Sequence, residues 1–160
     1  MMRAFVALGS NLGDSQQHLL NAMEALAALP QTELTARSRI YRTPPWGVVN
    51  QPDFLNAVVA LETLLEPHDL LDALLTIERA AGRQRNSERW GPRTLDLDLL
   101  HVAGRTVNEA RLNLPHPHIA DRAFVLLPLH DVAPDLEIPG QGNVADLLRA
   151  VDTQGCQPLA

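Results

Sequence analysis

The chain has 160 residues, 46% of them hydrophobic, with 19 acidic and 13 basic residues and a net charge of −6. That is enough for one domain over 1–160, too little for two, and too apolar for disorder. The acidic balance argues against a broad nucleic-acid surface, and no apolar run is long enough to span a membrane or serve as a secretory signal, so a cytoplasmic protein is expected.

Residues 3–8 read as a buried strand, and Gly9-Ser10-Asn11-Leu12-Gly13-Asp14 is turn chemistry. Asp14 can cap a helix whose apolar stripe, Leu19, Leu20, Met23, Leu26 and Ala27, stops before Pro30. Residues 33–42 alternate as one strand, with Leu34, Ala36, Ser38 and Ile40 on one side and Arg37, Arg39 and Tyr41 on the other. Residues 43–53 hold three prolines and a glycine and read as a long irregular loop. Residues 54–62 return as a strand with Phe54, Asn56, Val58 and Ala60 on one face. Asn56 is a lone amide there and needs a partner if buried. Pro67 opens a second helix that Gly82 closes, with Leu70, Leu74, Ile77 and Ala81 as its core stripe.

A second irregular loop, 83–93, leads into a strand from Leu95. Ala103-Gly104-Arg105 reads as a turn, Leu112 and Leu114 as a short strand ended by Pro115-His116-Pro117, and Ala123 to Leu129 as a buried helix or strand. Asn143 can cap a last helix carrying Val144, Leu147, Leu148 and Val151. The order β-α-β-β-α-β with C-terminal additions predicts an α+β, ferredoxin-like fold, a mainly antiparallel sheet flanked by helices.

Arg93-Thr-Leu-Asp-Leu-Asp-Leu-Leu100 carries the clearest chemistry. Alternation puts Leu95, Leu97 and Leu99 on one side and Asp96 and Asp98 on the other, with the two Asp Cα atoms roughly 6.6 Å apart. An acidic outer face on an edge strand is the ordinary use of such a pattern. Here Leu100 and Val102 make the strand end apolar on both sides, and carboxylates in such a strand need neutralising. A pair of Mg²⁺ ions, hard cations that bring phosphates with them, would do so. Upstream stand Arg79, Arg83, Arg85, Arg89 and Arg93, of which Arg79 lies within the helix as an ordinary solvated residue. Lysine is absent from the chain and no Walker or kinase glycine loop is present, so a nucleotide would be held by metal and Arg forks. Trp46 and Trp90 sit in the two irregular loops, suited to closing over a ligand. Phe54 and Phe124 could sandwich a flat heterocycle whose edge Asn56 reads, and His116 suits a phosphate or ribose. Cys156, the single cysteine, excludes an intrachain disulfide and agrees with a reducing compartment.

The run Arg89-Trp-Gly-Pro-Arg-Thr-Leu-Asp-Leu-Asp-Leu-Leu100 resembles the signature of the 6-hydroxymethyl-7,8-dihydropterin pyrophosphokinases of folate biosynthesis. Gly9-Ser-Asn-Leu-Gly13, Tyr41-Arg-Thr-Pro-Pro45, Phe54-Leu-Asn-Ala57, Pro115-His-Pro117 and Arg122-Ala-Phe-Val-Leu-Leu-Pro128 are similar to that family's other motifs, in the same order, over nearly all of residues 3–140. The resemblance implies transfer of the β,γ-pyrophosphoryl group of ATP to the pterin hydroxymethyl oxygen, with release of AMP. It implies that Asp96 and Asp98 bind two Mg²⁺ ions and that Arg83 and Arg93 stabilise the transferring group. Thr43, Pro44, Trp46, Phe54, Asn56 and Phe124 would line a pterin pocket, and Glu78, Arg85, Arg89, Trp90, Arg111, His116 and Arg122 an ATP site. The match departs at Phe54, where relatives carry Tyr, at Asn86 and His118, where basic residues and Arg are frequent, and at Trp46, where some have Leu or Val. A monomer acting on small molecules, without nucleic acid or membrane partners, is expected. The alternatives are another Mg²⁺-dependent nucleotide transferase and a nucleic-acid-binding ferredoxin-like module.

Overall fold

A computed structural model describes residues 1–45, 50–82 and 94–159. In chain order it contains β1 (Met2–Ser10), α1 (Ser15–Ala27), β2 (Thr32–Arg37), β3 (Tyr41–Thr43), β4 (Phe54–Thr63), α2 (Pro67–Ala80) and β5 (Asp96–Val102). Then follow β6 (Val107–Asn108), β7 (Asn113–Leu114), α3 (Ala123–Val132), β8 (Glu137–Ile138), β9 (Gly142–Asn143), α4 (Val144–Ala150) and β10 (Gln157–Pro158). The main sheet runs β10-β3-β4-β1-β5, with β2 also on β4, and its pairings are antiparallel. β4 lies between β1 and the β2/β3 segment, the split βαβ arrangement of a ferredoxin-like α+β fold.

The strand period divides the core in two. Ala4, Val6 and Leu8 of β1, Ala57, Val59 and Leu61 of β4, and Leu97 and Leu99 of β5 pack with α1 and α2. Phe5, Val58, Ala60 and Leu100 face the other way, onto α3 and α4. Leu19, Leu70 and Leu74 are fully buried, each contributing roughly 1.5–3 kcal/mol to holding α1 and α2 down. The helix starts follow local chemistry. Asp14 accepts from the Gln17 N–H at 3.2 Å, Pro67 opens α2, and Asn143 accepts from the Ala145 and Asp146 N–H groups. Ala123 to Leu129 is helical.

Residues 33–42 are not one strand. A register shift between Leu34 and Ala36 turns Leu34 towards the α1/α2 core and Ala36 towards the α3 core. The ladder stops at Ser38, whose side-chain oxygen takes the Val58 N–H at 2.9 Å in place of a backbone carbonyl. Beyond that break Tyr41, expected beside exposed Arg37 and Arg39, is buried. A second register shift, between Phe5 and Val6, makes room in β5 for the extra residue Leu100. This explains why β5 alternates through Leu99 and is then buried on consecutive positions.

Candidate active site

β4, β1 and β5 are neighbours, so their register decides what meets on the α3 side of the sheet. Gly9 lies opposite Asn56 on one side and opposite Asp96 on the other. In the adjacent row of that face, Ala7 stands between Val58 and Asp98. With strands about 4.8 Å apart, a bare glycine separates the Asn56 and Asp96 backbones by roughly 10 Å. Asp96 and Asp98 are both half-buried, while Leu97 between them enters the opposite core.

The Asn56 end is closed by hydrogen bonds. The Asn56 amide donates to Thr43 Oγ1 at 2.6 Å, and both residues are buried, at 8% and 1% exposure. The partner its burial demands is thus supplied by β3, where Thr43 pairs with Phe54 and Tyr41 with Asn56. Tyr41 in turn donates its phenol to Asp131 of α3 at 2.9–3.0 Å, and Arg39 pairs with the same carboxylate at 3.1 Å. Burial, reinforced by Asp131, pushes the Tyr41 phenol up to about 12. Burial alone would raise Asp131, but hydrogen bonds from Arg39 and Tyr41 outweigh it and hold the carboxyl below its ordinary value. Asn11, 3% exposed, donates to Gln51 Oε1 at 2.9 Å and to the Pro52 carbonyl at 3.0 Å, tying the first turn to the entry of β4. Pro44 is exposed and packs beside Gly155 of the C-terminal segment, which pairs with β3 through β10.

Behind the paired carboxylates lies Glu78 of α2, 3% exposed, whose Oε2 accepts the Leu97 N–H at 2.7 Å. Among the described strands β5 is the last of the sheet, so this carboxylate stands where a further strand would place a carbonyl. It grips the backbone between Asp96 and Asp98.

Beside Asp98 opens a cleft of ≈ 500 Å³ lined by Leu97, Leu99, Arg111, His116, His118, Asp121 and Arg122 among others. Arg111 pairs with Asp72 of α2, both about half exposed. The Arg122 guanidinium lies over the Phe124 ring, 5.7 Å from its centroid. His116 is fixed by its backbone. Its N–H donates to the Leu100 carbonyl at 2.7 Å, its carbonyl accepts from Gln141 at 2.9 Å, and its Nδ1 accepts the His118 N–H at 3.1 Å. Burial first, and then the positive charge of Arg122, push its imidazole down to about 4. At neutral pH it is an uncharged hydrogen-bonding group.

The expected residues therefore form two clusters joined by one strand. Thr43, Phe54, Asn56 and Asp96 share one end; Asp98, Arg111, His116 and Arg122 line the cleft. Glu78 contacts the strand from behind. Trp46, Arg83, Arg85, Arg89, Trp90 and Arg93 lie outside the described residues. Gly9, Asn11, Asp121 and Asp131 had no site role in the sequence alone. Asn11 had a signal, a small polar residue closing an apolar strand; Gly9 and Asp131 depend on pairings between distant segments. Among the described residues, no three His, Cys, Asp or Glu side chains gather to hold a metal ion. None of the described helices is long and apolar enough to cross a membrane.

The family model for 7,8-dihydro-6-hydroxymethylpterin-pyrophosphokinase matches residues 5–134. The 2-amino-4-hydroxy-6-hydroxymethyldihydropteridine pyrophosphokinase of Methylorubrum extorquens is 50% identical over 157 residues, covering 98% of each chain. Its Pseudomonas aeruginosa counterpart is 46% identical over 159 residues, covering 99% of this chain and 98% of its own. Among solved structures, the Plasmodium falciparum HPPK-DHPS has a similar fold, with a TM-score of 0.72 at 14% identity over 94% of this chain; the chain spans 43% of that protein's length. The sequence relatives and the fold agree, and the chain belongs to the 7,8-dihydro-6-hydroxymethylpterin-pyrophosphokinase family of ATP-dependent diphosphotransferases.

Proposed function

We propose that this chain transfers the β,γ-pyrophosphoryl group of ATP to the hydroxyl of 6-hydroxymethyl-7,8-dihydropterin, releasing AMP, as a step of tetrahydrofolate biosynthesis. The observation that carries the reading is the placement of Asp96 and Asp98 on one strand between a buried amide–hydroxyl pair and an Arg- and His-lined cleft. A flat heterocycle rich in donors and acceptors suits the first, and an anion suits the second.

Thr43 and Asn56 read the pterin edge, with Pro44, Trp46, Phe54 and Phe124 around its faces. Arg111, His116 and Arg122, with Arg85, Arg89 and Trp90, hold ATP, and Glu78 supports this side from behind the strand. The hydroxymethyl oxygen attacks the β-phosphorus in line, the bond from that phosphorus to the α–β bridging oxygen breaks, and AMP leaves with the electron pair; the hydroxyl proton passes to solvent. Arg83 and Arg93 stabilise the charge on the group in flight. Two carboxylates supply part of a Mg²⁺ oxygen shell and leave positions for phosphate oxygens, so Asp96 and Asp98 fit a pair of Mg²⁺ ions better than a closed all-protein site. Magnesium held there would neutralise phosphate charge and make the hydroxyl more acidic. No covalent enzyme intermediate is needed. Positioning and electrostatics supply the rate. The enzyme acts as a cytoplasmic monomer on small molecules alone.

Protein mixed with ATP, Mg²⁺ and the hydroxymethyl-dihydropterin should give AMP and the pterin diphosphate in equal amounts. ADP would point to an ordinary kinase, and absence of any nucleotide product would reject the reading.

A further inference from the structure

We propose that Gly9 is a positioning residue for the pterin, the missing side chain that lets the Asn56 amide lie across the sheet towards Asp96. The inference rests on the reading of Asn56 as a pterin contact. Glycine weakens a strand interior, so a glycine in β1 calls for a reason. The backbone does not provide one, because Gly9 is not among the glycines with positive φ. Space does. A Cβ at Gly9 would lie 2.9 Å from Asn56 Oδ1, inside any real contact distance, and 3.8 Å from Cδ1 of Phe54. The amide cannot swing aside freely, since its nitrogen is bonded to the buried Thr43 hydroxyl at 2.6 Å.

Asn56, Gly9 and Asp96 are consecutive across the sheet. Directly opposed residues point to the same face with Cβ atoms about 4.5–5.5 Å apart. A side chain at position 9 would therefore stand between the amide and the carboxylate. Without one, the Asn56 carbonyl oxygen occupies the space above Gly9 as an acceptor. The ring N–H and amino groups of an aminopyrimidinone are matching donors. Gly9 thus sets where the heterocycle edge docks relative to Asp96, without touching a reacting atom.

The test is a cycle of Gly9→Ala, Asn56→Ala and the double variant, each assayed for thermal unfolding and for binding of 6-hydroxymethylpterin and of ATP by calorimetry. Gly9→Ala should weaken the pterin on the order of tenfold, the scale of one hydrogen-bonding edge lost or left unsatisfied, and leave ATP affinity within about twofold. The double variant should bind pterin no worse than Asn56→Ala, because both changes act through one amide. Equal loss of both ligands, no loss of pterin, or losses that multiply would overturn the inference. If Gly9→Ala does not fold, the double variant should fold as Asn56→Ala does, since removing the amide removes the clash; failure of both to fold would overturn it. Wild-type protein that binds ATP but no pterin would refute the proposed substrate, while the unfolding cycle would still report on the Gly9–Asn56 conflict.

Discussion

The two ends of the proposed site are built on opposite plans. Around Asn56 the polar groups are buried and already bonded, amide to Thr43 and phenol to Asp131. Around the cleft the polar groups are exposed or half-exposed and tied to partners they can leave, Arg111 to Asp72 and His118 to Asp121 at 3.5 Å. An exposed ion pair contributes about 0–1 kcal/mol, so an arriving triphosphate can displace Asp72 at little cost. A rigid neutral ring is best met by a preformed edge, and a flexible polyanion by mobile charges that need no single pose. β5 joins the two plans, with Asp96 in the Asn56 row and Asp98 on the cleft.

The sharpest way to break this contrast is at the joint. Asp98→Ala should lower turnover by roughly a thousandfold, the loss of several kcal/mol of charge stabilisation, with the fold intact by circular dichroism. Near-normal turnover would remove Asp98 from the chemistry. Next comes the grip behind the strand. Glu78→Leu leaves the buried Leu97 N–H without its present acceptor and should cost about 1–3 kcal/mol in denaturant unfolding. Glu78→Gln keeps an acceptor and should lose less; equal losses would mean that charge matters there, not the hydrogen bond.

His116 sharpens the cleft side. Its folded-state value of about 4 lies below the ordinary 6.5, so the unfolded chain takes up the proton first. Its contribution to stability is present above pH 6.5 and is lost as pH falls from 6.5 towards 4. Proton NMR should find its midpoint near 4, and a midpoint near 6.5 would mean that the imidazole is solvated. The smallest effect is expected from Asp72→Ala, which frees Arg111. Stability should change by less than about 1 kcal/mol, and ATP affinity should rise slightly. A large loss of ATP affinity would show that Asp72 positions Arg111 rather than parking it.

What the sequence disclosed followed from local period and local chemistry. The alternation of 95–99 separated the leucines from the two carboxylates, Asp14 and Asn143 marked helix starts, and the split-βαβ order emerged from the element pattern. The family resemblance, more than periodicity, carried the expected nucleotide and pterin residues. What escaped depends on pairing across the chain. A register shift at Leu34/Ala36 and a serine side chain replacing a ladder carbonyl broke the 33–42 strand, and neither is visible in alternation. Glu78 was expected at an ATP site, and its hold on a backbone N–H 19 residues away emerged only with the fold. Gly9 read as turn chemistry because its reason, Asn56, lies on another strand.

In the proposed reaction Asp96 and Asp98 hold two cations between two substrates. Mn²⁺ can replace Mg²⁺ on oxygen ligands and is counted by electron paramagnetic resonance. With α,β-methylene ATP, which cannot be cleaved at the bond proposed to break, and the hydroxymethylpterin both present, the wild-type protein should bind two Mn²⁺ ions per chain and Asp98→Ala fewer than two. Two tightly bound ions in Asp98→Ala, or none in the wild-type complex, would contradict the account.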